Sequence, residues 1–311
     1  MTRAGARGAR PVAAVAVEAV KVPLLACAIA LSSAVATPAA GATAAPLSVV
    51  DDAGHRVELP RPARRVITLG PHLAELVHAA GGGASLVGVL RYSDYPPEVK
   101  RLPVVGDAFA INFEVVATLR PDLVIVWRSG VPERARQQLR ALGVPVFESE
   151  IRHVDAIAAS LRRFGTLLGS AETAARAADD VQRRWNALRA TYAARRPVRV
   201  FYQLWPEPLM TVNREHLISE AIAACGGVNV FAALPGFTPT VSREAAVQAD
   251  PQVIASAAED DSSFDGWRRF RQVDAVRHDR FVRLDGDLIG RMGPRFVDGA
   301  RALCEAIDAA R

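Results

Sequence analysis

Short apolar runs alternate with amphipathic stretches along most of the chain after residue 62. Within residues 63–150, runs such as RRVITLG and DLVIVW have the length and composition of buried strands. The stretches between them, such as HLAELVHAAGG and PERARQQLRALG, have helical spacing and end at glycine. A second alternating region begins at VRVFYQLW (198–205) and continues to the last helical stretch. Strands that alternate with helices of about ten residues predict parallel βα units, so the pattern indicates two α/β lobes.

The segment between these regions is polar and amphipathic, and residues 170–196 contain neither glycine nor proline. Ser170 is suited to cap a helix there, and Glu172 lies in the first turn, where a carboxylate offsets the helix dipole. About 25 helical residues make a rod of roughly 38 Å. We therefore expect an α/β fold with two βα-alternating lobes, one long rigid α-helix that joins them, and a ligand cleft between the lobes. The expected divisions are 1–44 (leader), 45–150 (N-terminal lobe), 151–196 (helical region) and 197–311 (C-terminal lobe).

One pattern occurs in both lobes. NFEVVATLRPDLVI (112–125) and SREAAVQADPQVI (242–254) each begin with a capping residue, continue with glutamate two positions later, and reach proline before an apolar strand. This places Glu114 and Glu244 in the first turns of equivalent helices. Such carboxylates can simply offset the helix dipole, but a partner with two-fold symmetry could also bind them, one on each subunit.

The first 44 residues differ in character from the rest. Arginines precede the apolar stretch VPLLACAIALSSAVA (22–36), and the small residues after it offer cleavage after Ala42 or Ala44. This order is typical of a cleavable secretory signal peptide, with a lipoprotein signal through Cys27 as the alternative. Removal of this leader lowers the formal net charge from +5 to +2, and the remaining arginines are scattered, which argues against a nucleic-acid partner.

Two cysteines remain after the leader, Cys225 and Cys304. An even number in an exported protein suggests one disulfide, and the alternative is a pair of buried free thiols.

The sequence contains no common enzyme motif. Patterns for a nucleophile elbow, a phosphate-binding loop and a zinc protease are all missing from it. The six histidines are dispersed, so we expect neither a catalytic activity nor a bound metal or cofactor. His72 follows the first strand of the N-terminal lobe, where open α/β sheets bind ligands, although a single histidine in a loop is more commonly a surface residue. An exported metal-dependent enzyme or zinc receptor is the alternative class.

Aromatic residues are concentrated where predicted strands end. The residues concerned are Tyr92, Tyr95, Phe109, Trp127, Tyr202 and Trp205. Because the carboxyl ends of parallel strands form the binding edge of such sheets, this distribution predicts a cleft lined by aromatic rings. Such a cleft suits a large, flat, partly apolar ligand.

Several segments, in order, resemble a known family over about 245 residues. They are RYSDYPPEVK, LRPDLVIVWRSG, RVFYQLWPEP, CGGVNVF, VSREAAV and GPRFVDGARALC. They are similar to the periplasmic cobalamin-binding proteins of bacterial vitamin importers. The resemblance implies two α/β lobes joined by a long helix, a ligand held in the cleft, and delivery of cobalamin (vitamin B12) or a related corrinoid to an ABC permease with its ATPase. We expect a monomer before docking.

The resemblance also assigns roles to residues. It implies that Glu114 and Glu244 meet arginines of the two permease subunits, and that Cys225 and Cys304 form a disulfide. The ligand-binding positions that it implies are Tyr92, Trp127, Asp287, Leu288, Ile289, Gly290 and Arg291. Two family aromatics are replaced by Ala108 and Thr238, and Met210 replaces a phenylalanine; the neighbours expected to refill these walls are Phe109, Trp205 and Phe237.

Two other ligands are compatible with the same fold. Haem would favour an axial ligand facing the cleft, for which His72 or Tyr92 is the candidate. A ferric siderophore would favour cleft arginines such as Arg128 and Arg291. The sequence thus predicts a periplasmic solute-binding protein for a corrinoid, with haem or a ferric siderophore as the alternative.

Overall fold

A computed structural model describes residues 13–21 and 46–311. Residues 13–21 form neither helix nor strand and are exposed, and they belong to a unit separate from residues 45–311. The apolar part of the predicted leader, its two cleavage positions and Cys27 lie outside the described residues. In the described part of the chain, no helix combines the length and apolar composition needed to cross a membrane.

Residues 46–150, called the first lobe below, begin with an antiparallel hairpin and continue with alternating parallel strands and helices. The bounds are β1 Leu47–Val50, β2 Arg56–Leu59, β3 Val66–Leu69, α1 Pro71–Val77, β4 Leu86–Val89, α2 Phe113–Leu119, β5 Leu123–Trp127, α3 Glu133–Ala141 and β6 Val146–Ser149. The apolar runs of the sequence are therefore the strands of the sheet, and β3 is buried at every residue, as expected where helices cover both faces of a parallel sheet.

Two helices follow the first lobe, and residues 197–311 are called the second lobe below. The bounds are α4 Val154–Leu168, α5 Ala171–Tyr192, β7 Val198–Gln203, β8 Trp205–Pro206, β9 Leu209–Met210, α6 Leu217–Ala224, β10 Gly227–Asn229, α7 Arg243–Gln248, β11 Val253–Ser256, α8 Asp274–Arg277, β12 Phe281–Arg283, α9 Gly286–Ile289 and α10 Phe296–Ala309. The last helix begins two residues after Pro294, and Arg295 takes the capping position.

The two lobes have the same strand topology. The first sheet has the order β4-β3-β5-β6 and the second has the order β10-β7-β11-β12. In each parallel sheet, the second strand along the chain therefore lies at the edge, next to the first strand. All neighbouring strands in both sheets are parallel. The equivalent helices α2 and α7 each precede the third strand of a sheet, which agrees with the repeated sequence pattern.

The predicted long helix between the lobes is α5, and a second helix, α4, precedes it. The long helix α5 has 22 residues and is close to the predicted rod, with a length of roughly 33 Å. The helix α4, not separately predicted, packs along it. Gly165 permits this close approach, because a Cβ atom there would lie 2.3 Å from the Cβ of Ala174. The predicted capping role of Ser170 is wrong, since its hydroxyl instead donates to the carbonyl of Ala80 at 2.6 Å.

One apolar core continues through both lobes. It includes Leu73 of α1, Leu161 of α4, Trp185 of α5, Ile222 of α6 and Leu303 of α10, all at most 1% exposed. Separate apolar clusters cover the other face of each sheet, under α2 and α3 in the first lobe and under α7 and α8 in the second. The lobes therefore share a core through the α4 and α5 pair, which opposes large movements of one lobe against the other.

A disulfide joins Cys225, after α6, to Cys304 in α10. Both residues are fully buried in the shared core. The predicted pairing is therefore present, and the alternative of two free thiols is not.

Candidate functional site

The carboxyl ends of the strands carry most of the predicted ligand residues. Tyr92 follows β4, Trp127 ends β5, and residues 285–291 follow β12. In open parallel sheets this edge is where ligands bind, because the loops that leave the strands there form a crevice. Two cavities lie at these ends, one in each lobe.

The first-lobe cavity has a volume of about 440 Å³ and an aromatic lining. Tyr92 is 76% exposed, Phe109 is 95% exposed, and Trp127, at the end of β5, is half-buried and lines the same cavity. Tyr92 also adopts a φ of 68°, a left-handed conformation that is unfavourable for a residue with a large side chain. Exposed rings at one place in a fold, one of them on strained backbone, are typical of a binding surface.

The loop that carries Phe109 is held by Asp107. Its carboxylate accepts hydrogen bonds from the backbone N–H groups of Phe109 and Ala110, both at 3.0 Å, and these bonds lower the pKa of Asp107. The guanidinium of Arg91, next to Tyr92, lies 3.7 Å from the same carboxylate. The two aromatic loops are thus tied to each other at the rim of the cavity.

His72 lies behind this aromatic wall and not on the surface. It is 2% exposed, and its ring meets that of Trp127 edge-on at 5.4 Å between centroids. Burial lowers the pKa of His72 to about 3, so the imidazole is neutral at ordinary pH. The interpretation of His72 as a surface polar residue is wrong, because α1 begins one residue earlier and turns the ring into the lobe.

The second-lobe cavity is larger, about 650 Å³, and its lining is charged. Glu259, Arg283, Asp285 and Asp287 surround it. Asp285 caps the short helix α9 by accepting from the N–H of Asp287 at 2.8 Å. This wall therefore presents carboxylates where the first lobe presents rings.

Residues 287–290, after β12, differ in their exposure to solvent. Asp287 and Gly290 are exposed and Leu288 is half-buried. Ile289 is 1% exposed and belongs to the shared apolar core. Its predicted place among the ligand-binding side chains is wrong, because the turn of α9 directs it inward against α10.

Arg291 is also turned away from open solvent, with 14% of its side chain exposed. Its guanidinium binds Asp94 at 2.5 Å, Asp287 at 2.7 Å and Glu75 at 3.2 Å. The bonds to Asp94 and Glu75 hold it against the first lobe, and the hydrogen bond from Arg291 lowers the pKa of Asp94. Arg291 was predicted to donate hydrogen bonds to the ligand. Its guanidinium already makes these three ionic contacts, so a ligand would have to compete with them.

Three more predicted ligand residues lie beside the second sheet. Trp205 is 59% exposed and pairs across the β8–β9 hairpin with Met210, which in turn bridges to Thr240. Residues directly opposite each other across strands share a face, so this hairpin presents Trp205 and Met210 together. Phe237 lies between the ring of His216, at 4.7 Å, and the guanidinium of Arg152, at 5.1 Å.

Two of the aromatic residues that suggested the cleft have other roles. Tyr202 is 1% exposed within β7, and burial raises the pKa of its hydroxyl above the ordinary value. Tyr95 stacks against the guanidinium of Arg295 at 3.7 Å. The interpretation of Tyr202 as part of the cleft is therefore wrong, because an inward position of a central strand faces the core.

Glu114 and Glu244 are exposed in the first turns of α2 and α7. The predicted caps are present: the side chain of Asn112 accepts from Val115 N–H at 3.1 Å, and that of Ser242 accepts from Ala245 N–H at 3.0 Å. The two helices also show the same succession of exposed and buried residues from 111 to 116 and from 241 to 246. The glutamates are therefore equivalent positions of two similar lobes.

A family model described as periplasmic binding protein matches residues 66–288. The chain belongs to this family. It is 37% identical over 246 residues to a vitamin B12-binding protein of Vibrio cholerae serotype O1, an alignment that covers 79% of this chain and 89% of the relative. The resemblance inferred from the sequence motifs is thereby confirmed.

Solved structures give the same result. The crystal structure of the periplasmic vitamin B12-binding protein of Vibrio cholerae matches with a TM-score of 0.75 and 37% identity, over 80% of this chain and 98% of that one. A periplasmic haem-binding protein from Roseiflexus sp. RS-1 matches with a TM-score of 0.72 and 28% identity, over 80% and 100%. The α/β fold with two lobes is therefore confirmed, and proteins with different ligands share it.

Proposed function

We propose that this chain is an exported solute-binding protein that captures cobalamin or a related corrinoid in the periplasm and delivers it to an ABC import permease. Residues 1–44 are the cleaved leader, and residues 45–150 and 197–311 are the ligand-binding lobes on either side of the helical region 151–196. The family and the vitamin B12-binding relative support this proposal. The ligand is cargo and not a cofactor, and we propose no catalytic activity.

The exposed aromatic wall carries the proposal. Tyr92, Phe109 and Trp127 present apolar faces at the strand ends, and water solvates such faces poorly. A corrin ring and its nucleotide loop offer broad apolar surfaces to these rings. The peripheral amides of a corrinoid offer N–H donors, which suit the carboxylates of Asp285 and Asp287 on the second lobe.

Delivery requires a docking surface apart from the cleft. Glu114 and Glu244 occupy equivalent, exposed positions on helices that cover the sheet faces opposite the shared core. Two equivalent carboxylates, one on each lobe, match a permease of two related subunits that each present arginine. The mature chain needs no second copy of itself for this arrangement, so we propose that it acts as a monomer before docking.

Haem is the second candidate, because a haem-binding protein shares the fold. In this chain an axial ligand would have to be Tyr92, since His72 is enclosed behind Trp127. The carboxylates of the second lobe disfavour haem, whose two propionates are negatively charged. Within residues 13–21 and 46–311, no cluster of three metal-ligating side chains is present.

Titration of the purified mature chain with cyanocobalamin, cobinamide, haem and a ferric siderophore tests the proposal. We expect corrinoids to bind with a Kd in the micromolar range or tighter, and haem and siderophore to bind more weakly. Absence of corrinoid binding at micromolar concentrations would contradict the proposal. Tight haem binding that is lost in Tyr92→Phe would support the second candidate instead.

A further inference from the structure

A buried ionic cluster joins the two lobes at one end of the cleft. Its centre is Glu75 of α1, whose side chain is 1% exposed. From the second lobe, Arg295 donates to both carboxylate oxygens of Glu75, at 2.9 and 2.6 Å, and Arg291 donates to one of them at 3.2 Å. Gly293, between the two arginines, approaches so closely that a Cβ atom there would lie 3.2 Å from Glu75 Oε2.

The same cluster reaches both walls of the proposed site. Arg291 is the last residue of the segment 285–291, and it binds Asp94 at 2.5 Å in the loop that carries Tyr92. Its second nitrogen makes a long contact of 3.5 Å to the carbonyl of Tyr92 itself. Arg295 stacks on the ring of Tyr95 at 3.7 Å. The aromatic loop of one lobe and the acidic segment of the other are therefore tied to one carboxylate.

Strand order places this cluster at one edge of each sheet. The tyrosine loop follows β4, an edge strand of the first sheet, and the arginines follow β12, an edge strand of the second. Other contacts lie at the opposite edges, after β6 and beside β10. There, the N–H of Val154 donates to Glu220 at 2.9 Å and the guanidinium of Arg152 covers Phe237. The cleft is thus bridged at both ends.

We propose that Glu75 is a positioning residue that, through Arg291 and Arg295, fixes the separation of the two cleft walls and the orientation of the Tyr92 loop. It touches no ligand. A buried carboxylate with two guanidinium partners is strongly held, because loss of its charge would leave two partly buried guanidinium groups without that partner. The inference rests on the proposed function only for the affinity measurement with cyanocobalamin. The distance between the lobes is measured without ligand.

The test measures the distance between the lobes without ligand. Thr118→Cys on α2 and Gln272→Cys in the second lobe are both exposed, and the native cysteines of the mature chain are paired, so a spin label attaches at these two sites. In Glu75→Gln, pulsed electron paramagnetic resonance should give a broader distance distribution, shifted to longer distances. Cyanocobalamin should bind about tenfold more weakly, since only a fraction of the molecules has the competent geometry.

Glu148→Gln is the matched control. Glu148 is also a carboxylate of 1% exposure bound by arginines, Arg136 and Arg140, but all three belong to the first lobe. Its loss should lower stability and leave the distance distribution unchanged. If Glu75→Gln and Glu148→Gln both give the wild-type distribution, the proposal is wrong, whatever the affinity.

Asp94→Asn serves if Glu75→Gln does not fold, because Asp94 is 38% exposed and less critical to the core. Because the bonds of Glu75 to Arg291 and Arg295 persist in this variant, it reports only on the link from Arg291 to the Tyr92 loop, and Arg295→Gln is made beside it, since Arg295 donates to both oxygens of Glu75. We expect a broadened distribution in Arg295→Gln, and an unchanged one would overturn the proposal. A wild-type chain that binds no corrinoid contradicts the proposed function instead, and the distance measurement remains valid in that case.

Discussion

The two walls of the cleft come from the same strand order and have opposite chemical character. The first lobe places Tyr92, Phe109 and Trp127 at its strand ends, whereas the second places Glu259, Asp285 and Asp287 there. Aromatic surface supplies binding free energy through apolar burial, and exposed carboxylates mainly select orientation and charge. We infer that the first lobe supplies most of the affinity and the second lobe discriminates among ligands.

The largest expected effect concerns the two equivalent glutamates, one on each lobe. Reversal of both equivalent charges, Glu114→Arg with Glu244→Arg, should abolish uptake of cyanocobalamin, because arginines of the permease would meet like charges. The Kd for cyanocobalamin should not change, since neither residue lies at a cleft cavity. Uptake is measured in cells that depend on this protein for the vitamin.

Glu172→Arg provides the control for this prediction. Glu172 is another exposed carboxylate in a first helical turn, at the start of α5. Its reversal removes the same interaction with a helix dipole, about 0.3 to 1 kcal/mol, and should leave uptake intact. Normal uptake in the double variant would mean that Glu114 and Glu244 only stabilise their helices.

The next effect concerns how much of the ligand affinity the aromatic wall of the first lobe supplies. Trp127→Ala should raise the Kd for cyanocobalamin roughly 30-fold, because truncation of a large aromatic at a binding surface costs about 2 kcal/mol. Isothermal titration calorimetry measures the change directly. Circular dichroism should confirm the fold of the variant, since Trp127 ends a central strand. An unchanged Kd would refute the claim that the first lobe supplies most of the affinity.

A third effect concerns stability and compares the buried His72 of the first lobe with the half-buried His216 of the second. Burial lowers the pKa of His72 to about 3 and that of His216 to about 4, both below the ordinary value of 6.5. Their neutral forms therefore stabilise the fold fully above pH 6.5, and this contribution is lost as the pH falls, because only the unfolded chain then gains protons. For the fully buried His72, the loss between pH 7 and pH 5 is about 2 kcal/mol.

Urea denaturation at pH 7 and pH 5 measures this loss. His72→Leu should reduce the difference in unfolding free energy between the two pH values by about 2 kcal/mol. His78→Gln is the control, because His78 is exposed, and it should behave as the wild type does. The same pH dependence in His72→Leu as in the wild type would show that His72 is accessible to protons in the folded chain.

The smallest effect is expected on the acidic wall. Asp287→Asn should change the Kd for cyanocobalamin by about threefold or less, because Asp287 is 55% exposed and solvent weakens its interactions. Its effect on haem should run in the opposite direction, with tighter binding once a negative charge is removed. A loss of corrinoid affinity as large as that of Trp127→Ala would reverse the assigned roles of the walls.

Much of the fold could be predicted from the sequence, because buried parallel strands are continuous apolar runs and the capped helices α2 and α7 carry local signals. The helix α4 was not predicted as an element of its own within the helical region 151–196, since both α4 and α5 are amphipathic and only two residues lie between Val154–Leu168 and Ala171–Tyr192. The cap expected of Ser170 is not formed, because its hydroxyl makes a tertiary hydrogen bond to the carbonyl of Ala80 instead, and local sequence does not reveal that partner.

The site was only partly predictable for a similar reason. Tyr92, Phe109 and Trp127 follow strands, so their place at the cleft is a consequence of topology. The inward positions of Tyr202 and Ile289 depend on which face of an element packs, and short patterns do not reveal it. Glu75 was missed altogether, because its partners Arg291 and Arg295 lie 216 and 220 residues away in sequence. Its one sequence signal was a carboxylate in a mostly apolar helix.

The crystal structure of the mature chain with cyanocobalamin tests the central claim most directly. The account predicts a corrinoid between the lobes, with its apolar surface in van der Waals contact with Tyr92 and Trp127 and its amides directed toward Asp285 and Asp287. A corrinoid bound elsewhere, or one that rests on the second lobe without touching the aromatic wall, would contradict it.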